Sequence, residues 1–328
     1  MDVDEPARDD VLERALRVRR RLLEDADLSA LRLFNGEADG VGGLVIEKFN
    51  DVLIVQLHAG RVRIGAREVR SRVEALHGRL GTRAVYRKTF ARTRDESDPE
   101  LDERHRDAEP WWGESVEPEQ VILENGLRFI VRPYDGHAVG LFLEQRDNRR
   151  RVRELARGRR VLNAFSYTCG FSVAAAAGGA ASVASVDLSK RFLEWGKRNF
   201  AANGIDPADH RFYRSDIFDF YQRARRQDLR FDLIVLDPPT FSRQRRPRRA
   251  FVLADRLEPL CDGAVGLLDP GGVVLLATNC RRVSLEDLEA ALRTAGRGRE
   301  VTIVDRPRLP IDFAGDPDYA KAVLARFD

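Results

Sequence analysis

The sequence predicts an α/β protein in which a mostly parallel sheet is preceded by a small α+β unit. Three observations predict it. From Arg160 onward, short apolar runs alternate with helical stretches, a pattern that places right-handed crossovers on a mostly parallel sheet. The run Leu233-Ile234-Val235-Leu236 is unbroken and rich in branched residues, as suits a strand buried on both faces. The first half instead carries hairpin signals at Asn50-Asp51 and Asn125-Gly126.

At 328 residues, 43% hydrophobic and 33% charged, the chain has the length for two domains and the balance of a soluble globular protein. Its net charge is only +3, yet five of its 56 basic residues are lysines. The arginine excess suits planar phosphate and base edges, and biased codon usage would produce it equally well. Three cysteines, none in a paired metal spacing, point to a reducing cytoplasm and to no metal. No apolar stretch approaches the ~20 residues of a membrane span, and the acidic N-terminus does not read as a signal peptide.

Taken in order, residues 1 to 28 show helical spacing at Val11, Leu12, Ala15, Leu16, Leu22 and Leu23, with Arg17, Arg19, Arg20 and Arg21 on a solvated face. Residues 29 to 133 form the small unit. Strands are expected at Leu44–Ile46, Val52–Leu57 and Ala84–Arg87, with a helix near Arg63–Leu80. Residues 89 to 118, with Arg92, Arg94, Trp111 and Trp112, read as a long charged loop. Val121–Glu124 and Leu127–Val131 flank Asn125-Gly126 as a type I′ hairpin. Residues 134 to 157 hold the turn Asp135-Gly136-His137 and a linking helix that opens at Leu141–Arg149.

In the second half, strands fit Val161–Phe165, Ser182–Val186, Arg211–Tyr213, Leu233–Leu236, Val273–Thr278 and Val301–Val304. Helices fit Phe171–Ala177, Lys190–Asn203, Ile217–Arg226, Ala250–Leu268 and Leu285–Thr294. A last strand, Ala320–Arg326, is expected antiparallel at or near the edge.

The chemistry gathers at the strand ends. The first strand, through Asn163 and Phe165, runs into Ser166-Tyr167-Thr168-Cys169-Gly170, a small-residue loop that lets a ligand approach the backbone and a helix N-terminus. About twenty residues later Asp187 closes the second strand, where a carboxylate can take both ribose hydroxyls. Asp216 follows the third strand and can accept from an adenine amine. Asp237 ends the fourth, and Pro238-Pro239 stiffens the turn behind it. Each aspartate alone could be an N-cap; four consecutive strand ends in this series point to a nucleoside. No Gly-x-x-x-x-Gly-Lys loop and no full Gly-x-Gly-x-x-Gly is present, so an adenosine ligand without polyphosphate fits best, S-adenosylmethionine being the common one.

Four stretches carry a family resemblance: Leu33–Gly40, Gly140–Arg146, Asn163–Thr168 and Asp237–Phe241. Through them the chain, over about residues 30 to 300, resembles class I S-adenosylmethionine-dependent methyltransferases, specifically the RlmI/RlmK-like family acting on bacterial large-subunit ribosomal RNA. The resemblance implies a Rossmann-like seven-stranded methyltransferase sheet behind a small α+β domain. It implies that the loop Phe165–Gly170, Asp187, Asp216 and Asp237 hold the cofactor, with Gln145 and Arg149 contributing. The sequence departs from the family in three ways. About 30 N-terminal residues cannot contain an RNA-binding PUA domain, Cys169 stands where a smaller residue is usual, and residues after about 300 have no match.

Asn279-Cys280-Arg281-Arg282 bears on the base. Methylating carbon 5 of cytosine needs a thiolate to add to the ring first, and by the resemblance Cys280 could be that thiol. Nitrogen 7 of guanine already has a lone pair, so positioning suffices. Asn279 with Arg281-Arg282 resembles the guanine branch, which is favoured. Phe241 is a candidate stacking platform for an extruded base, and Arg243, Arg245 and Arg246 are candidate phosphate contacts.

The expected organisation is thus an N-terminal helical extension (1–28), an RNA-facing α+β domain (29–133), a linking helix (134–157) and a methyltransferase domain (158–328). The expected partner is large-subunit ribosomal RNA, with a dimer admitted as the assembly. A small-molecule or protein methyltransferase, and a non-catalytic RNA-binding assembly factor, stay open as alternatives.

Overall fold

The computed structural model describes residues 9–90, 108–136, 139–244, 249–296 and 298–328. They fall into two compact units, one of residues up to Leu143 together with Pro310–Asp316, the other of Glu144–Leu309 and Pro317–Asp328.

The first unit is built on the sheet β1 (Ala30–Asn35), β2 (Leu44–Phe49), β3 (Val52–His58), β4 (Ala84–Phe90) and β5 (Trp112–Gly113), in that order. Helices α1 (Asp9–Leu23) and α2 (Ala66–Leu80) bury Leu12, Leu16, Val69, Val73 and Leu76 with Leu31, Ile46, Leu53 and Val55 of the sheet. A separate hairpin, β6 (Gln120–Glu124) and β7 (Leu127–Val131), turns through Asn125 at φ 51° and Gly126 at φ 74°. Two positive φ values are what a type I′ turn requires, so the Asn-Gly signal is realised.

Three features of this unit depart from expectation. β1 was not read as a strand, because Arg32 and Asn35 interrupt its apolar run. Both are buried: Arg32 pairs with Glu47 at 2.7 Å and donates to Asn35 Oδ1 at 3.0 Å. Arg19, expected on a solvated face, is 1% exposed and pairs with Asp39 at 2.7 Å. The segment Pro310–Asp316 completes this unit: Asp312 Oδ2 accepts from Arg32 N at 3.0 Å, and its carbonyl accepts from Arg19.

The second unit carries a seven-stranded sheet in the order β10 (Arg211–Arg214), β9 (Ser182–Asp187), β8 (Arg160–Ala164), β11 (Phe231–Leu236), β14 (Leu268–Thr278), β16 (Lys321–Phe327), β15 (Val301–Asp305). The first five are parallel; β16 is antiparallel to both neighbours. Helices α3 (Arg146–Leu155), α4 (Gly170–Ala177), α5 (Lys190–Ala202), α6 (Ile217–Arg226), α7 (Leu253–Val265) and α8 (Leu285–Ala295) accompany it. Ile234 and Leu236 face one buried cluster, and Leu233 and Val235 the opposite one. That is the two-sided burial expected of this strand.

A helix was expected from Ala250. Instead β12 (Phe241–Gln244) pairs with β13 (Arg249–Val252), and α7 begins only at Leu253. Phe251 sits in the core and holds the hairpin strand extended. β16 lies one strand in from the edge. Among the described residues no helix is long and apolar enough to cross a membrane, and no group of three or more potential ligands could hold a metal ion.

Candidate active site

The chain winds outward from β8 through β9 to β10, then returns to β11 on the other side of β8. Strand order therefore reverses between β8 and β11, and the carboxyl ends of these strands are where open α/β sheets bind ligands. Residues from Phe165 to Asn279 meet at this rim.

The loop after β8 is conformationally demanding. Phe165, Tyr167 and Cys169 adopt φ of 59°, 48° and 64°, a left-handed region costly for residues other than glycine. Local bonds hold it there. Ser166 N donates to Val186 O at 2.9 Å, Cys169 N to Ser166 O at 2.7 Å, and Asn199 Nδ2 to Thr168 O at 2.9 Å. Beneath it Asn163 Nδ2 donates to Ser172 Oγ at 2.8 Å, and Ser172 and Ser185 hydroxyls are 2.8 Å apart. Gly170 opens α4, whose first-turn N–H groups end the loop.

Asp187 is tied to the same loop. Its Oδ2 accepts from Tyr167 N at 2.9 Å and its Oδ1 from Ser189 N at 2.8 Å. Burial raises its pKa, while these two backbone donors pull it back. Asp216 does cap α6: Oδ1 accepts from Phe218 N at 2.9 Å. Capping uses Oδ1 and leaves Oδ2 for another donor. Beside it lies a cleft of about 330 Å³ lined by Leu188, Asp216, Phe218, Ser242, Ala250, Phe251 and Arg256. Leu188, Phe218 and Phe251 give the cleft apolar walls, with the Asp216 carboxylate, Ser242 and Arg256 as its polar groups; such a lining can take a flat heteroaromatic ring bearing an amine, and the adjacent Asp187 suits a ribose.

Asp237 stands on the other side of the reversal. Gln145 Nε2 lies 3.4 Å from its Oδ1, and Gln145 Oε1 accepts from Asn148 Nδ2 at 2.7 Å. Burial, with Glu144 nearby, pushes the Asp237 carboxyl up to about 7, and Arg149 acts the other way. Arg149 is itself buried, its guanidinium 5.9 Å from the Phe171 ring centre. Pro238 is buried and Pro239 half-buried. Thr240 then donates from Oγ1 to Asn279 Oδ1 at 3.1 Å, joining the ends of β11 and β14.

The remaining expected residues divide. Phe241 is half-buried on β12, paired with Val252; Asn279 and Arg281 are exposed. Arg243 lies on β12 opposite Ala250. Arg245 and Arg246 fall outside the described residues, as do Arg92, Arg94 and His137. Cys280 is 2% exposed and belongs to the apolar cluster that includes Leu276, Val283 and Leu288. His210 packs on Phe200, ring centres 4.9 Å apart, as a structural residue would. Sequence reasoning missed Glu144 near Asp237, Asn148 behind Gln145, and the cleft walls Leu188 and Phe218. The latter two follow Asp187 and Asp216 by one and two positions, a signal that was legible.

A sequence model of the S-adenosylmethionine-dependent methyltransferases matches residues 91–326. The chain belongs to this family. A ribosomal RNA large subunit methyltransferase of Deinococcus radiodurans is 34% identical over 308 residues, covering 92% of this chain and 73% of that protein. Ribosomal RNA large subunit methyltransferase I of Erwinia tasmaniensis is 33% identical over 311 residues, covering 92% and 74%. A crystal structure of a candidate methyltransferase complexed with SAH superposes with a TM-score of 0.84 at 27% identity, covering 99% of this chain and 83% of that one. The methyltransferase thus has the expected fold class and cofactor, and its seven-stranded sheet is the one the resemblance implied.

Proposed function

We propose that this methyltransferase modifies a base of large-subunit ribosomal RNA in the cytoplasm, at nitrogen 7 of guanine. The RNA substrate rests on the relatives named above, which act on large-subunit ribosomal RNA by name. The base rests on one observation: the chain presents no thiol at the rim. Cys169, Cys261 and Cys280 are all buried, and Cys280 packs in the apolar core. A cytosine route needs a thiolate that adds to the ring. A guanine route needs only a ring nitrogen held in line with the methyl group.

S-adenosylmethionine supplies an activated methyl group on a sulfonium. In this reading Asp187 holds the ribose hydroxyls, the cleft beside Asp216 takes the adenine, and the loop Phe165–Gly170 with Gln145 and Arg149 lines the rest. Asp237 and the Pro238-Pro239 turn bound the reacting end. Phe241 offers a stacking face. Thr240 engages Asn279 Oδ1 as an acceptor, and the amide N–H groups of this exposed residue are then available to donate to guanine O6. Arg281 with Arg243, Arg245 and Arg246 are phosphate contacts in this proposal.

The deciding experiment is methyl transfer to ribosomal RNA from a strain lacking the enzyme, with mass mapping of the product. Methylguanosine is expected, and Cys280→Ser should retain activity. A methylcytosine product, or loss of turnover in Cys280→Ser with the fold intact, overturns the guanine reading.

A further inference from the structure

The first unit carries a surface that the methyl-transfer site does not use. Trp111 and Trp112 lie side by side against β4: Trp111 N–H donates to Val85 O at 2.6 Å, and Trp112 pairs with Val85 across the ladder. Their ring centres are 4.0 Å apart. Arg70 of α2 sets its guanidinium over Trp112 at 5.2 Å, and Arg87 of β4 sets its own over Trp111 at 5.1 Å. Both arginines are exposed and both indoles half-buried.

The indoles already pack on the unit's core, so the arginines are not needed to cover them. Among the described residues neither guanidinium pairs with a carboxylate; Glu68, the nearest acid on α2 in sequence, is taken by Arg72 at 2.7 Å. Arg67, one turn before Arg70, is also exposed. A guanidinium laid against an indole is restrained without being neutralised. Its outer face can stack an unpaired base while its N–H edge meets phosphate, a combination that single-stranded RNA supplies and a neutral protein surface does not.

We propose that Arg70, Arg87, Trp111 and Trp112 form a docking surface for a single-stranded segment of the substrate RNA, lying wholly within the first unit. The proposal rests on RNA being the substrate. It goes further in naming where a second part of that RNA is gripped, and by indole-backed arginines.

The test uses the full chain and a fluorescent single-stranded RNA oligonucleotide, titrated by anisotropy at several salt concentrations. The R70E/R87E variant alters two exposed side chains. It is expected to bind RNA at least tenfold more weakly than the parent, with a log–log salt slope reduced by about 1.4, at ~0.7 for each of two phosphates. Its S-adenosylmethionine affinity by calorimetry should match the parent's. RNA should also quench the parent's tryptophan emission, because Trp195, the third tryptophan, is 2% exposed and Trp111 and Trp112 are not so shielded. Unchanged RNA affinity and slope in R70E/R87E overturns the proposal; that is also the result expected of a patch that meets an acidic protein. If the parent methylates RNA while that variant binds it normally, only the docking surface falls. If the parent neither binds nor methylates any RNA, the functional reading falls with it.

Discussion

Gln145 Nε2 lies 3.4 Å from Asp237 Oδ1, and among the described residues no donor comes closer to that carboxylate. Burial and the neighbouring Glu144 therefore dominate, and the group titrates at about 7 instead of its ordinary 3.8. A carboxyl held this high binds its proton more tightly folded than unfolded. Its contribution favours folding below about pH 4 and is lost as pH rises through 7.

Asp237→Asn should accordingly be more stable than the parent at pH 8, by up to about 4 kcal/mol, and closer to it at pH 5. Paired thermal melts at the two pH values check this. An identical difference in Tm at both would show that the carboxyl is not held in its neutral form. The same variant should lose methyl transfer, because the amide replaces one of the two carboxyl oxygens at the polar end of the proposed site with a donor.

Asp187 holds the loop as well as facing the proposed ribose position, since its two oxygens accept from Tyr167 N and Ser189 N. Asp187→Ala should weaken S-adenosylmethionine binding at least 100-fold, two charge-assisted hydrogen bonds being worth roughly 1.5–3 kcal/mol each. Calorimetry giving the parent's affinity would remove Asp187 from the cofactor site.

Cys169 occupies a left-handed position in the loop, its thiol pushed up to about 12 by burial. Gly196 of α5 makes room for it: a Cβ there would overlap the sulfur and lie 2.8 Å from the Cys169 Cβ. Gly196→Ala should cost about 1–3 kcal/mol by overpacking. Cys169→Gly, which removes the clash and suits φ 64°, should recover much of that loss. A urea double-mutant cycle measures the coupling, and strictly additive effects would show that the pair does not interact.

The parallel half of the fold was legible because its central strands carry short apolar runs closed by turns, and the rim aspartates follow the strands directly. The Asn125-Gly126 hairpin was legible for the same local reason. What escaped was set at long range. β1 is disguised by Arg32, whose partner Glu47 is brought to it only by strand pairing. β13 sits ahead of a helix and is held extended by its ladder to β12 and by burial of Phe251. The burial of Cys280 was open in the sequence, since a cysteine is as often a small packed residue as a nucleophile, and its place beside Leu276, Val283 and Leu288 decides for packing. Arg19 looked like one more cation in a run of four until Asp39 and the Asp312 carbonyl closed around it.

Within the sheet β15 pairs with β16 alone among the described strands, and between these two strands the chain passes through Pro310–Asp316, which belongs to the first unit. During synthesis, β15 therefore leaves the ribosome with no neighbour to pair with. The first unit meanwhile waits for Asp312 to satisfy Arg19 and Arg32. Neither unit can finish before residue 316 has been made. A chain cut at residue 309 would leave both incomplete, the second without the strand that joins β15 to the sheet and the first without its buried acceptor.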